Sequence, residues 1–465
     1  MAEELTRRLS LIQSTAINMT DMVGIGPFIS LPVVVSMVHA PSFLWAWIVG
    51  SFLSFVDASI WAELGAALPK AGGSYNFLKE AYAKDEDETT EQENKGERIL
   101  KADYQPDKKA SLLPFLFVWQ TCIQAPLVIA SAAIGFSSYL SWFYPLGFYG
   151  SKAVSGLVVI LIVLLLYRRI ETIGKISVLL WMGVLITMAC IVGGGIYKGH
   201  IMQPLLHIND GIDWNFATLG LIGGASVKTV YSYLGYYNVC HLGGEIINPA
   251  KNIPRSMFIS IAGITILYLG MNMAVTSVIP WQQVIGNNYV VSTFIESIGG
   301  HTAAGIITIL ILWVAFASVF SATLGYSRIP YAAAADGRFF PIFAKLHPTK
   351  NFPYMSILIL GSVAFVFSLL FKIEHVISAI LAMRILVQFI GQAIGLTLLR
   401  KRKPASFFPY KMPLYPLPVI LAIVLWAFIF ISTGKWFMLG GAIVIGSGVI
   451  AFFLIKKNNI TASLK

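Results

Sequence analysis

The sequence predicts an all-α membrane protein of twelve transmembrane helices. The first ten form a five-plus-five inverted repeat with helices 1 and 6 broken, and two extra helices follow at the C-terminal end. Three observations carry this expectation. The 465 residues are 57% hydrophobic and only 12% charged, whereas charge makes up about 25% of an ordinary globular chain. The apolar residues come in long runs, and ~18 or more in succession read as a membrane helix. Two of the runs, five apart, are interrupted by glycine, which is the pattern of an inverted repeat with a binding site at the midplane.

The runs fall at roughly 12–37, 42–68, 111–142, 151–168, 175–197, 215–246, 256–280, 303–331, 354–371, 375–400, 416–433 and 436–456, here segments 1 to 12. Segments 1–5 occupy a first repeat over 9–200, segments 6–10 a second over 212–402, and segments 11 and 12 lie in 413–457. The opening MAEELTRRLSL leads into an apolar run too long for a cleavable signal peptide, with no small-residue cleavage site. Between segments 2 and 3 stands a polar, net acidic stretch, Lys84 to Ala110. Its composition reads as a solvated loop, with a regulatory or partner-binding role as the alternative.

The net charge of +11 would suit nucleic acid, but its placement points elsewhere. With a cytoplasmic N-terminus, the outside loops carry only Lys152, Lys198, Lys372 and Lys435, and Lys228 and Arg384 lie within segments. Every other Lys and Arg falls in an inside loop or at a terminus. This is the positive-inside pattern and puts both termini in the cytoplasm of a cell-membrane protein. The partner of the basic loops is then anionic lipid, not nucleic acid. Cys122, Cys190 and Cys240 all fall inside segments without metal or disulfide spacing and read as small packing residues.

The break in segment 1 is DMVGIGPFISLP, Asp21 to Pro32. In hydrocarbon an unmet backbone group costs several kcal/mol, so a break survives only where it faces protein, water or a ligand. The second half-helix is expected to start near Pro27, which has no N–H to lose at a first helical position. The amides of Gly26, Phe28 and Ile29 then point into the gap with the positive end of the dipole. The first half ends near Val23 and Gly24 with free carbonyls. Gly24 and Gly26 let a ligand reach the backbone. Segment 6 carries a second break around SYLGYYN, with Gly235 at its centre, which supplies further carbonyls. Donors for a carboxylate beside acceptors for an ammonium complement an α-amino acid zwitterion. Glycine and proline also serve as packing and kink residues in membrane helices, so it is the second break that gives the first its weight.

The chain resembles the amino acid–polyamine–organocation superfamily, and within it permeases related to the L-type transporters. VGIGPFI, AELGAALPKAGGSY (Ala62 to Tyr75), YSYLGYYNVCHLGGEIINPAKNIPRS (Tyr231 to Ser256), LGYSRIPYAAAADGRFFP (Leu324 to Pro341) and KMPLYPLP match the family in order. The resemblance covers nearly the whole chain except the Lys84–Ala110 insert. It implies transport of amino acids by alternating access, as a symporter or antiporter. It implies that Gly24, Ile25 and Gly26 hold the carboxylate and that Tyr231 is the aromatic that closes over substrate. Tyr236 stands where L-type members have tryptophan, and Leu234 replaces a glycine. Met188 falls where some proton-coupled relatives carry a lysine, which puts lysine-type coupling in doubt. Segment 8 faces the first half of segment 1 in this fold, which makes Ser318 and Ser321 weak sodium-site candidates.

The substrate-binding set expected from these readings is Val23, Gly24, Ile25, Gly26, Tyr231, Ser232, Tyr233, Gly235 and Tyr236. Charges within segments are costly and mark function or a fixed pair. Asp21 lies one turn before the first break and Lys228 one turn before Tyr231, so an Asp21–Lys228 pair is expected as an inner-gate tie, a proton-sensitive element or a plain structural link. Asp57 could compete for Lys228. Glu63 is expected to anchor the first cytoplasmic loop, and the partner of Arg384 is left open. No P-loop, HExxH or nucleophile elbow is present, so an enzyme has no constellation to stand on. The expected function is a permease for L-amino acids, neutral first. Cationic amino acids or polyamines are the rival cargo, and a non-transporting amino acid sensor the rival class. The expected partners are the amino acid, membrane lipid and a coupling proton or sodium, with no cofactor, metal or obligate protein partner.

Overall fold

The computed structural model describes residues 5–39, 41–83, 111–371 and 373–462. The acidic stretch at 84–110 lies outside them. Every predicted segment is helical, and no β-strand occurs among the described residues beyond two isolated bridges. Eight described helices are long and apolar enough to cross a membrane, or nine when the bent pair Leu11–Met22 and Gly26–Met37 counts as one. Segments 9 and 11 are shorter apolar helices, Tyr354–Leu370 and Leu417–Ser432, and segment 6 has a first half of 18 residues, Phe216–Tyr233. The protein is a multi-pass, all-helical membrane protein.

Segment 1 is broken as its glycines require. Its halves meet at 43°. The first starts from a capping box, Ser10 with Gln13, and ends at Met22; the second begins at Gly26, one residue before the expected proline. Segment 6 breaks at Leu234 and Gly235 and resumes in a single short turn, Asn238–His241. Gly235 has φ +125°, a conformation that side-chain-bearing residues avoid. A Cβ there would stand 2.8 Å from the Met22 nitrogen. The second break is thus pressed against the backbone of the first.

Segment 7 joins the two. The Tyr268 hydroxyl hydrogen-bonds the carbonyl of Met22 at 2.7 Å and that of Ser232 at 3.0 Å, so one phenol serves a chain end from each break. Beside it, the Ser30 and Ser232 hydroxyls lie 3.2 Å apart. Before segment 8 a further helix begins at Val290, and Gly300 (φ 76°, ψ −177°) breaks the helical path between the two. Segment 10 carries a π-helical turn, Ile385–Ile390, between helices Ile373–Arg384 and Gly391–Arg402. Such turns are rare and cluster at functional sites.

At one end of the molecule, buried charges knit the segments. Arg328 and Glu245 pair at 2.8 Å with exposures of 0% and 1%. Glu63 receives both Arg400 Nε and Nη2 at 2.6 Å and the Met412 amide at 2.8 Å. It therefore ties segment 2 to the end of segment 10 and to the stretch before segment 11, not to the first loop as expected. That loop is held by other means. Gly72 donates its amide to the His241 carbonyl at 2.8 Å, and the Tyr75 hydroxyl and Lys79 ammonium each reach Asp336 at 3.0 Å.

Candidate functional site

The amides at the start of the second half of segment 1 are unmet. Among the described residues, the N–H groups of Ile25, Gly26 and Phe28 make no hydrogen bond, and Pro27 has none to make. These donors sit at the positive end of a helix in an apolar setting, where an anion is favoured. Ile25 and Gly26, though not Phe28, line a cavity of about 50 Å³, room for about four waters at ~10–15 Å³ each.

Five segments line that cavity. Segment 1 contributes Asp21, Met22, Gly24, Ile25 and Gly26, and segment 6 contributes Tyr231, Ser232, Leu234, Gly235 and Tyr237. Segment 3 adds Val128, Ser131 and Ala132, segment 8 adds Ser318 and Tyr326, and segment 10 adds Arg384. The Tyr231 hydroxyl is held by Ser131 at 3.3 Å, which fixes its ring across the space. Close packing explains the glycines. A Cβ on Gly24 would meet Ser318 Oγ at 2.6 Å, whereas one on Gly26 would find its nearest neighbour, Ser232 Oγ, at 3.4 Å. Of the two, Gly26 is the one where a Cβ would make only ordinary van der Waals contact.

Of the residues expected to bind substrate, Gly24, Ile25, Gly26, Tyr231, Ser232 and Gly235 meet around this cavity, while Val23, Tyr233 and Tyr236 do not line it. Tyr233 packs its ring against Trp47 and Tyr268. Tyr236 turns to segment 2 and donates to Asp57 at 2.5 Å. Asp57 also accepts from Trp426 Nε1 of segment 11 at 2.8 Å, so it has no part in holding Lys228. The ring that does reach the cavity is Tyr237. Helical spacing cannot place adjacent tyrosines in a non-helical turn, so the choice between Tyr236 and Tyr237 was invisible in the sequence.

The expected Asp21–Lys228 pair does not form. Lys228 makes no ion pair and no side-chain hydrogen bond among the described residues. Both residues lie in first halves of broken segments, but these halves pack on different partners. Asp21 ends the first half of segment 1, against Gly235, while Lys228 lies in the first half of segment 6, which packs on the second half of segment 1. The cation sharing the cavity with Asp21 is Arg384, whose partner the sequence left open. Arg384 is 1% exposed. It donates to Gln388 Oε1 at 3.0 Å and, in a short contact, to the Tyr237 hydroxyl.

Ser318 and Ser321 part company. Ser318 lines the cavity beneath Gly24. Ser321 donates to the Ile17 carbonyl at 2.7 Å and accepts from Asn238 Nδ2 at 3.2 Å, which ties segments 1, 6 and 8 together. Among the described residues no group of three or more His, Cys, Asp or Glu is placed to hold a metal ion.

Comparisons against known proteins agree with this fold. A family described as "Amino acid permease" matches residues 9–455. The chain is 25% identical to the serine/threonine exchanger SteT of Bacillus subtilis (strain 168), over 95% of this chain and 92% of that protein. It is 26% identical to the human Asc-type amino acid transporter 1, over 97% of this chain and 82% of that one. It is 22% identical to the branched-chain amino acid permease BcaP of Bacillus subtilis (strain 168), over 98% and 94%. The chain belongs to the amino acid permease family. It is a transporter, not an enzyme, and amino acids are its cargo.

Proposed function

We propose that the protein is a secondary active permease that carries neutral L-amino acids across a cell membrane by alternating access. The observation that carries this is the set of unmet amides on Ile25, Gly26 and Phe28, the first two on residues that line a cavity bordered by the second break. They would receive the substrate carboxylate, with carbonyls of the two breaks facing its ammonium. A polyamine has no carboxylate and would leave those donors idle in a setting where unmet groups are expensive. The neutral preference is supported by relatives named for serine, threonine and branched-chain substrates. The charge asymmetry of the loops supports cytoplasmic termini.

Alternating access would rock the segments around the fixed site. Ser321 and Asn238 would hold the first half of segment 1 to segments 6 and 8 when that side is shut. Coupling to a proton, coupling to sodium and exchange for internal amino acid are the modes that the transport test distinguishes. Purified protein in liposomes is given labelled serine, leucine, arginine or putrescine, with and without a pH gradient, sodium or internal amino acid. The expected result is accumulation of neutral amino acids, abolished in Gly26→Val, whose side chain enters the carboxylate space. Accumulation of putrescine or arginine alone would replace the cargo. Binding without accumulation would make the protein a sensor.

A further inference from the structure

Arg384 and Asp21 present a problem that the permease reading leaves unsolved. Arg384 is a guanidinium at 1% exposure in a membrane segment, where a charge is expensive unless paired. Its protein partners are neutral: the Gln388 amide oxygen and the Tyr237 hydroxyl. Rings of Tyr237, Tyr326 and Phe389 stand 5.0, 5.8 and 5.4 Å from its centre. These ring faces and neutral oxygens steady the cation without neutralising it. Only Nε and Nη2 are used, so Nη1 makes no hydrogen bond within the described protein. Asp21 borders the same cavity, and its carboxylate accepts no hydrogen bond among the described residues. The two form no ion pair with each other. The site thus holds an unused donor on a basic side chain and an unused acceptor on an acidic one, on one small space.

Side-chain chemistries fit this unequally. An anionic side chain would meet Arg384 but stand in the field of Asp21, and a cationic one the reverse. A hydrocarbon side chain would displace water from both groups and return no hydrogen bond. A site with polar groups to satisfy rejects analogues that leave them bare. The group that answers both without charge is one with a donor and an acceptor on separate atoms, because the acid and base are too far apart to touch. A carboxamide is that group: its carbonyl accepts from Arg384 Nη1 and its NH₂ donates to Asp21. The small cavity suits a short side chain.

We infer that Asp21 and Arg384 form a side-chain subsite selecting carboxamide amino acids, asparagine and glutamine, from among the neutral substrates. This rests on the permease reading and narrows it. The test is inhibition of labelled serine uptake in proteoliposomes by asparagine, glutamine, leucine, aspartate and lysine. Asparagine and leucine are near in size, and so are asparagine and aspartate, so the series isolates polarity and charge. The better of the two amides is expected to compete at least about tenfold better than leucine and than aspartate, in keeping with a site built around buried polar groups. In Arg384→Met and in Asp21→Ala the ratio of amide to leucine potency falls toward one, whatever the absolute rate. Arg384→Lys, which keeps the charge but loses the planar fork, falls between. Leucine or aspartate competing as well as the amides in the unaltered protein would overturn the inference, and so would a ratio that survives both substitutions. If no amino acid is accumulated at all, the permease reading has failed instead. The wild-type series stands even if a variant does not fold.

Discussion

Arg328 and Glu245 meet side-on in the protein interior, Nε to Oε1 at 2.8 Å and Nη2 to Oε2 at 3.3 Å. Segment 8 ends at the arginine, and the glutamate follows the second half of segment 6. The glutamate's own carbonyl accepts the amides of Arg8 and Leu9 at 2.8 Å each. One ion pair therefore binds three parts of the chain. Both residues sit in stretches that the sequence matched to a family, but nothing in either stretch said that they pair.

Removing one partner leaves a buried charge bare, at a cost of about 3–5 kcal/mol. Glu245→Ala and Arg328→Met are each expected to lower thermal stability sharply in detergent. The double variant recovers part of the loss, since two apolar replacements leave no orphan charge. Unfolding curves of the four proteins form the cycle; a double variant as unstable as the sum of the singles would contradict the pairing.

Gly235 and Gly26 should differ in tolerance. Alanine at 235 must adopt φ +125° with its Cβ against the Met22 nitrogen. Alanine at 26 meets nothing nearer than 3.4 Å. Gly235→Ala is expected to abolish uptake and cost roughly 1–3 kcal/mol from backbone strain. Gly26→Ala should keep measurable uptake with weakened affinity. Initial rates against concentration decide it, and the reverse order of severity would refute the packing described.

Lys228→Met tests the absent pair. No ion pair or side-chain hydrogen bond is lost with this lysine, and a half-buried charge is removed from a membrane segment. Stability should be unchanged or raised, and the pH profile of uptake should keep its shape. Uptake from pH 5 to 8 and melting in detergent are the measurements. A profile that flattens would restore Lys228 to the coupling machinery.

Ser321→Ala should cost about 1 kcal/mol, the worth of a typical hydrogen bond, by releasing the Ile17 carbonyl. Because that hydroxyl is already committed to protein partners, any dependence of uptake on sodium should be the same before and after. A sodium response lost in Ser321→Ala would return this serine to an ion site.

The breaks were legible because their cause is local. VGIGP and the glycine at 235 cannot continue a helix, and in a membrane a break must be matched by something. What went unseen arises from packing across segments. Tyr237 rather than Tyr236 faces the cavity because the chain there has left helical register. Asp21 and Lys228 look like a pair in sequence because nearness of two breaks does not reveal which half-helices adjoin. Arg384 sits immediately before a π-helical turn that no periodicity announces, and its neighbours come from segments 6 and 8. Position alone makes Glu63 a local anchor, whereas its partners lie more than 300 residues away in sequence.

Segments 11 and 12 are numbered outside the repeat, yet Asp57 ties the first of them into it. Its carboxylate lies in the middle of segment 2 at 1% exposure, with one donor from Tyr236 and the other from Trp426. Trp426 is itself stacked face to face on Phe389, 4.0 Å away, in the π-helical turn beside Arg384. A chain trimmed after residue 410 would not be a leaner permease. It would carry an acid without its Trp426 donor in the middle of segment 2, and an aromatic face stripped bare beside the candidate cavity.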